Sequence, residues 1–450
     1  MEDSILQQGG VRLHVLVDPS KTKTIGKNFA RPDDAMQYLD IDGVDRVDGL
    51  AYTDTLNFLD LPSRAKYVLA EGDVLVSNVR PNRGIVTLVT PRLSGAIASS
   101  GFTSLRLSDG AQMTPSMLFA YLRTAHAREQ LIRRDRGSMY PAVLQRDVLD
   151  LAVPTIAPDL TAEVESEVSA ALLQQDEFFA KLIEASELIN GFLAPYGAPP
   201  SPLESDRLTI DTTVVTRHAV VGEGGARRID AEFFRSEYEA YHAHVKELGP
   251  WFALGDRFTL FAGRRSTGDG PVWTLKQGSL TNAGINWTAV GLEEGDPSTA
   301  LIEEGDILLA STAHEIYYVG RKVDVVRAMP TEIAKSNQAV GELMVIRPRE
   351  GVVPRVPEEF VAAFLRHPSG LYQVQRCIRG LRGGHTYPTD LAQHVIVPEP
   401  DQKWLYDFEK FSADAVRIRR SAAEAVASTV AKLEHKLEAS GHAAGGTQYD

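Results

Sequence analysis

The chain has 450 residues, 43% hydrophobic and 24% charged, the balance of a globular protein with two or three domains rather than a disordered or fibrous one. A formal net charge of −13 excludes a protein that coats nucleic acid along its whole length, since that work needs a positive field throughout. Its one cysteine, Cys377, excludes an internal disulfide and a cysteine zinc cluster, and reads as an inert helix residue in a reducing cytoplasm.

The start, MEDSILQQGG, is acidic where an export signal is basic, and no apolar core region follows. No apolar run approaches the roughly 18 residues of a membrane span; FVAAFL (360–365) is among the longest. The segments DVLVSNV (73–79), GIVTLVT (84–90) and FTSLRL (102–107) alternate apolar and polar residues with β-branched content, which predicts half-buried strands. Between the first two lies RPNRG (80–84), a turn offering Arg80, Asn82 and Arg83, side chains suited to guanine edges and phosphates. Leu118, Tyr121, Leu122, Ala125 and Leu131 recur at helical spacing, predicting one amphipathic helix over 117–134. From 117 to 146 six arginines (Arg123, Arg128, Arg133, Arg134, Arg136, Arg146) face only Glu129 and Asp135, a locally basic stretch. It runs into RGSMYP, where Arg136, Ser138 and Tyr140 suit phosphate or base contacts, or else belong to a glycine cap of the preceding helix.

From 160 to 192, Val164, Val168, Ala171, Gln175, Phe178, Leu182, Ala185, Ile189 and Phe192 step 4-3-4-3, a heptad seam. The prolines and glycines of APYGAPPSP (194–202) stop this helix. In YHAHV, His242 and His244 lack metal-spaced partners and read as surface histidines. AGRRST (262–267) supplies a second basic turn with Arg264 and Arg265.

The chain then repeats itself. EGDVLVS (71–77) returns as EGDILLAS (304–311), with Gly72 and Gly305 marking tight turns ahead of a strand. AIASSGFTSLRL (96–107) is answered by AKSNQAVGELMVIRP (334–348), and the 117–134 helix by FVAAFLRHPSGLYQVQR (360–376). Arg366, Arg376, Arg379 and Arg382 lie in an acid-free stretch before RGGHTYP, where Arg382, His385 and Tyr387 match the first loop. A strand ending in VP closes each copy. A second seam follows: Trp404, Phe408, Phe411, Ala415, Ile418 and Ala422, then, after a stutter, Val426, Val430, Leu433 and Leu437. Two such helices, each roughly 50 Å long at 1.5 Å per residue, bury each other most economically as an antiparallel pair. The spacing therefore predicts a mixed α/β (α+β) fold: two similar globules, 1–157 and 203–399, separated and joined by long helices at 158–194 and 400–440, with a disordered tail at 441–450.

No NPP-aromatic methyltransferase motif and no GxxxxGK[ST] phosphate loop occurs. GEGGA (222–226) reads as a flexible turn, and the acids of PDQKWLYDFEK (400–410) lie around a helix rather than converging as a metal nuclease needs. The sequence predicts no catalytic residues and no metal.

The ordered and duplicated elements (the GD[VI]L strand, the SSGF or SNQ segment, the FAYLR or AAFLR helix, the RG…P loop, the VP strand and a long helix) resemble the specificity subunit of type I restriction-modification enzymes. RIDAEFF (228–234) is similar to that family's entry into its second domain. The resemblance covers nearly the whole chain. It implies two target recognition domains, each reading one half of a split double-stranded DNA sequence in phage defence, with the paired helices as spacer. The seam residues Val164, Val168, Phe178, Leu182, Ile189, Trp404, Phe408, Phe411, Ile418, Val430 and Leu433 would build that spacer and dock partners. It further implies a cytoplasmic, non-catalytic subunit with no cofactor of its own. Two DNA adenine methyltransferase subunits would bring S-adenosylmethionine, and a restriction/translocase subunit can join. The net acidity leaves open a scaffold that organises a defence assembly without reading DNA.

Overall fold

The computed structural model describes residues 2–26, 29–46, 48–135, 141–194, 231–281, 284–313, 318–352, 356–380 and 384–440. The fold is mixed helix and sheet, and the chain divides into two compact units, 1–179 with 417–450 and 180–416. The division runs through both long helices, so each unit owns a globule together with part of each helix. No helix among the described residues is long and apolar enough to cross a membrane.

In the first unit the antiparallel strands Val86–Leu88, Val74–Ser77 and Phe102–Leu105 form one sheet. A second sheet runs Lys23–Thr24, Ala65–Val68, Ile97–Ser99, Ala35–Leu39, Asp54–Asn57, and within it Ala35–Leu39 pairs in parallel with Ile97–Ser99. The second unit repeats this plan. Ile307–Ala310 lies between Val323–Val325 and Leu343–Pro348, with Phe258–Ala262 added at the edge, and Gly270–Leu275 pairs in parallel with Asn337–Ala339. Each unit also ties its start to its end by a short antiparallel pair, Val11–Arg12 with Ala152–Val153 and Trp251–Ala253 with Ile396–Pro398.

The repeated residues make repeated bonds. The EGD segments place Gly72 and Gly305 at φ +83° and +89°, where a side chain is strained. The buried carboxylate that follows closes its own turn: Asp73 accepts from the Ala70 N–H and Asp306 from the Glu303 N–H, both at 2.9 Å. Each also takes a two-pronged arginine from the neighbouring strand, Arg106 or Arg347. Gln130 grips the Ala152 backbone from both sides, donating to its carbonyl at 3.0 Å and accepting from its N–H at 2.8 Å; Gln373 does the same to Ile396 at 3.1 and 2.9 Å. A buried strand end has no water to satisfy its polar groups, so an amide side chain in the core serves in both copies.

Two expectations need correction. The helix read as continuous over 117–134 is two, Pro115–Arg123 and Ala125–Ile132, broken at Thr124. The Thr124 hydroxyl donates to the Tyr121 carbonyl at 2.6 Å and accepts from the Ala127 N–H, ending one helix while capping the next. The second unit breaks at His367, whose neighbour Pro368 disfavours helical backbone before it. Of the histidines of YHAHV, read as surface residues, His242 is half-buried and His244 buried. His244 is buried, its Nε2 3.2 Å from the Leu193 carbonyl at the end of the first long helix. Burial, then the charges of Arg376, Lys246 and His394, pushes His242 down to about 3.

His367 yields a pH prediction. Its Nδ1 accepts from the Ser369 N–H at 3.1 Å, which only an unprotonated nitrogen can do, and burial followed by the charge of His244 lowers its pKa from 6.5 to about 4. The depressed folded value means full stability above about 6.5 and progressive loss as pH falls toward 4. The second unit's melting midpoint is expected to drop between about pH 7 and pH 5, and His367→Asn, which keeps a capping acceptor without a titrating ring, is expected to reduce that dependence, the remainder coming from His242, whose pKa is depressed further.

The long helices, Pro158–Leu193 and Gln402–Ala439, pair inside each unit. In the first, Val164, Val168 and Ala171 share one buried cluster with Val426, Leu433 and Leu437, with Val430 packed against it; Thr429 donates to Glu167 at 2.8 Å and Lys432 pairs with Glu163 and Glu167. Phe178 and Ile418 are buried there too. In the second, Phe192 meets Trp404 (centroids 5.2 Å) and the Lys181 ammonium lies 4.5 Å from the Phe411 ring, an antiparallel register. Trp404 stacks on Phe408, and Ile189, Leu193, Leu405 and Phe408 are buried, with Leu182 half-buried. The seam does not choose between partner helix and globule: the same buried clusters contain both. Truncating fully buried Leu433 to alanine is expected to cost about 2–5 kcal/mol, read from a shifted urea midpoint.

Candidate nucleic-acid interface

In the first unit the site grows from the end of the Val74–Ser77 strand. Ser77 bonds back to residue 79 and Asn78 is fixed by Thr103 at 2.6 Å, so the chain enters the 80–84 turn from a rigid stem. Val79 bridges Ala142, and the Arg80 N–H donates to the Pro141 carbonyl at 2.7 Å. The Ala142 N–H in turn donates to Asp135 at 2.9 Å. These contacts bring the basic turn against the edge of the RGSMYP loop, from which it is separated by more than fifty residues of sequence. Arg136, Ser138 and Tyr140 themselves lie outside the described residues.

The turn Pro81–Arg83 is a single 3₁₀ turn with Arg80 (φ 51°) and Gly84 (φ 60°) both left-handed. Glycine adopts that backbone freely, whereas in arginine it costs about 1–2 kcal/mol. Asn82 is exposed and Arg80 and Arg83 are half-exposed. The Ala125–Ile132 helix packs on the turn, and a Cβ at Gly84 would sit 3.4 Å from the Arg128 Cδ. Arg46 is electrostatically coupled to this turn: its pKa is lowered first by burial and then by the charge of Arg83, which Asp45 offsets in part, as Arg83 is lowered by burial and by Arg80. Asp42 offsets this in part for Arg83. Arg80, Arg83 and Arg128 thus gather around one glycine, and the side chains of Arg80 and Arg128 have no hydrogen-bonding or ion-pair partner among the described residues. Cations that outnumber the acids acting on them, Asp42 and Asp45, create a local positive potential on an acidic chain, which fits a polyanion.

Most of the other arginines are spent internally. Arg123 donates to the Val86 and Arg46 carbonyls and lies over Phe119; Arg134 pairs with Glu2 and Asp150. In the second copy Arg366 donates to the Val323 carbonyl, Arg376 to the Phe233 carbonyl and Glu239, and Arg379 makes two 2.7 Å bonds to buried Asp390. The basic stretches before the two loops are therefore largely structural.

The second unit builds its edge at the same end of the equivalent strand. Thr312–Ala313 pairs with Gly384–His385, and Thr312 Oγ1 and His385 Nδ1 are hydrogen-bonded at 3.0 Å. His385 and Tyr387 are exposed, the latter with the Arg379 guanidinium 5.7 Å from its ring. Gln277 donates to the Thr312 carbonyl at 2.6 Å, and its neighbour Lys276 shares Glu293 with Arg265. Arg264 is exposed with no partner among the described residues. This chain of contacts joins Arg265 to His385 through residues that sequence reasoning did not single out, Lys276 and Thr312. Arg382 lies outside the described residues. Among those described, no cluster of side chains could hold a metal ion.

No family model and no curated protein matches the chain. Among solved structures it is similar to the HsdS subunit from Thermoanaerobacter tengcongensis, at 18% identity over 96% of each chain with a TM-score of 0.33. It is also similar to the S subunit of a type I restriction-modification system from M. genitalium, at 10% identity over 93% of this chain and 95% of that one, with a TM-score of 0.35.

Proposed function

We propose that the chain is a non-catalytic, sequence-specific reader of double-stranded DNA, serving as the specificity subunit of a type I restriction-modification complex. Each unit would read one half of a split target. The observation that carries this reading is the exposed end of the duplicated core strand: in both copies it is bridged to the late loop, and in the first it assembles Arg80, Asn82, Arg83 and Arg128. Arginine and asparagine at such a turn are equipped to read guanine and adenine edges in the major groove while neighbouring cations hold phosphates. Methylation would come from two DNA adenine methyltransferase partners carrying S-adenosylmethionine, and cleavage from a restriction/translocase subunit. The first long helix, whose exposed face carries Glu163, Glu165, Glu177, Glu184 and Glu187, suits contact with protein better than with phosphate.

A gel-shift with the methyltransferase partner present tests this: a sequence-selective shift is expected. Its absence would leave the scaffold reading, which the net charge of −13 otherwise favours.

A further inference from the structure

At the exposed edge of the second unit, one side chain has both its backbone and one ring nitrogen fixed. His385 lies directly opposite Thr312 where Thr312–Ala313 pairs with Gly384–His385, so the two side chains leave the sheet on the same side. Toward the other neighbour its backbone exchanges both hydrogen bonds with Arg379: the His385 N–H donates to the Arg379 carbonyl at 3.1 Å, and the Arg379 N–H to the His385 carbonyl at 2.8 Å. Arg379 is anchored by its two bonds to buried Asp390, and Thr312 by the Gln277 amide on its carbonyl. Thr386, the next residue, is buried and bonds to the Ser311 carbonyl through its N–H at 2.9 Å and its hydroxyl at 3.2 Å. The chain is extended here, so His385 and Tyr387 emerge together on the exposed face while Thr386 points inward. With Nδ1 held by Thr312 Oγ1 at 3.0 Å, the ring's other nitrogen, Nε2, lies on its far edge and has no hydrogen-bonding partner among the described residues.

We propose that His385 is a specificity-determining residue of the second unit, donating from Nε2–H to the acceptor edge of a guanine, and that Thr312 is its positioning residue. This rests on the reading of that edge as a DNA contact. An imidazole with Nδ1 engaged has one nitrogen left to offer, and the partner of Nδ1 decides what that nitrogen does. The Thr312 hydroxyl has no other acceptor among the described residues, so it donates to Nδ1 and the ring carries its proton on Nε2. An outward N–H matches O6 and N7 of guanine, two adjacent acceptors in the major groove. Against the cytosine amine it would set two donors face to face, leaving both unsatisfied. The two units then read by different chemistry: the first through the cations of its 80–84 turn, the second through a ring N–H beside an exposed tyrosine.

The test uses the full chain with its methyltransferase partner and selection from a pool of randomised duplexes, the enriched sequences giving the base preference at each position. The unaltered chain is expected to enrich a split motif with a guanine in the half that Arg80→Ala and Arg83→Ala leave unchanged. His385→Ala is expected to lower the preference for that guanine by roughly 5-fold or more while the other half stays as it was. Thr312→Val, which keeps the shape and removes the hydroxyl, is expected to relax the same position, and Thr312→Ser, which keeps the hydroxyl, to retain the preference. Adding Thr312→Val to His385→Ala is expected to relax nothing further. Thermal melts report folding separately, because a merely destabilised protein loses active fraction without changing which base it prefers. A motif that survives His385→Ala at every position, that relaxes at a base other than guanine, or that Thr312→Val leaves unchanged would overturn the proposal with the DNA reading still standing. If the unaltered chain enriches no sequence, the underlying DNA reading fails and the proposal with it.

Discussion

Replacing Arg80 and Arg83 together by alanine is expected to abolish selective DNA binding by the first unit while leaving its fold intact. A base-reading arginine contributes about 1–3 kcal/mol, so the pair should cost roughly 30-fold to more than 10³-fold in affinity, with one half of the target losing its preference and the other keeping it. The turn is held by its backbone, through bonds from the Arg80 N–H to Pro141, the Arg83 N–H to Arg80 and the Gly84 N–H to Pro81, which both substitutions leave in place. Arg80→Gly sharpens the test. Glycine accepts the left-handed backbone that arginine occupies at φ 51°, so stability should stay within about 1 kcal/mol while binding falls. Titration of a labelled target, with urea unfolding alongside, checks both halves of this expectation.

The largest stability effect is expected at Arg419. Burial works against its charge, but Tyr52, Asp48 and Asp45 more than offset that and hold its pKa above the ordinary arginine range. Tyr52 itself is pushed up to about 12 by burial, an effect that the charge of Arg419 opposes. Arg419→Ala leaves Asp48, fully buried, and Asp45, nearly so, without their cation. Removing one partner of a buried pair costs about 3–5 kcal/mol, much of it the uncompensated charge left behind. Equilibrium urea unfolding should show that loss in the first unit; a change below about 1 kcal/mol would mean the carboxylates are far better solvated than their burial indicates.

The seams were legible in the sequence because a heptad is a local pattern. Val164, Val168, Phe178 and Ile189 are buried at the spacing that predicted a helix face. The duplication was legible because EGD and the late glutamine-bearing helix recur in order, although the reason, buried Asp73 and Asp306 gripped by Arg106 and Arg347, appears only in three dimensions. Counting arginines misled. Arg123, Arg366 and Arg376 look like a basic surface in one dimension, yet each runs to a backbone carbonyl that burial would otherwise leave unsatisfied. The residues around Gly84 were only half visible. Arg80, Asn82 and Arg83 form one turn, but Arg128 reaches it from a helix remote in sequence. The break at Thr124 was hidden because threonine within an apolar-periodic run is compatible with a helix until its hydroxyl finds the Tyr121 carbonyl.

Mapping methylated adenines in DNA from cells that express this chain with its methyltransferase partner tests the duplicated-reader account most directly. The account predicts chain-dependent methylation at a split motif, with Arg80→Ala and Arg83→Ala relaxing one half only. Methylation that is unsplit, that does not depend on the chain, or whose two halves change together would contradict it.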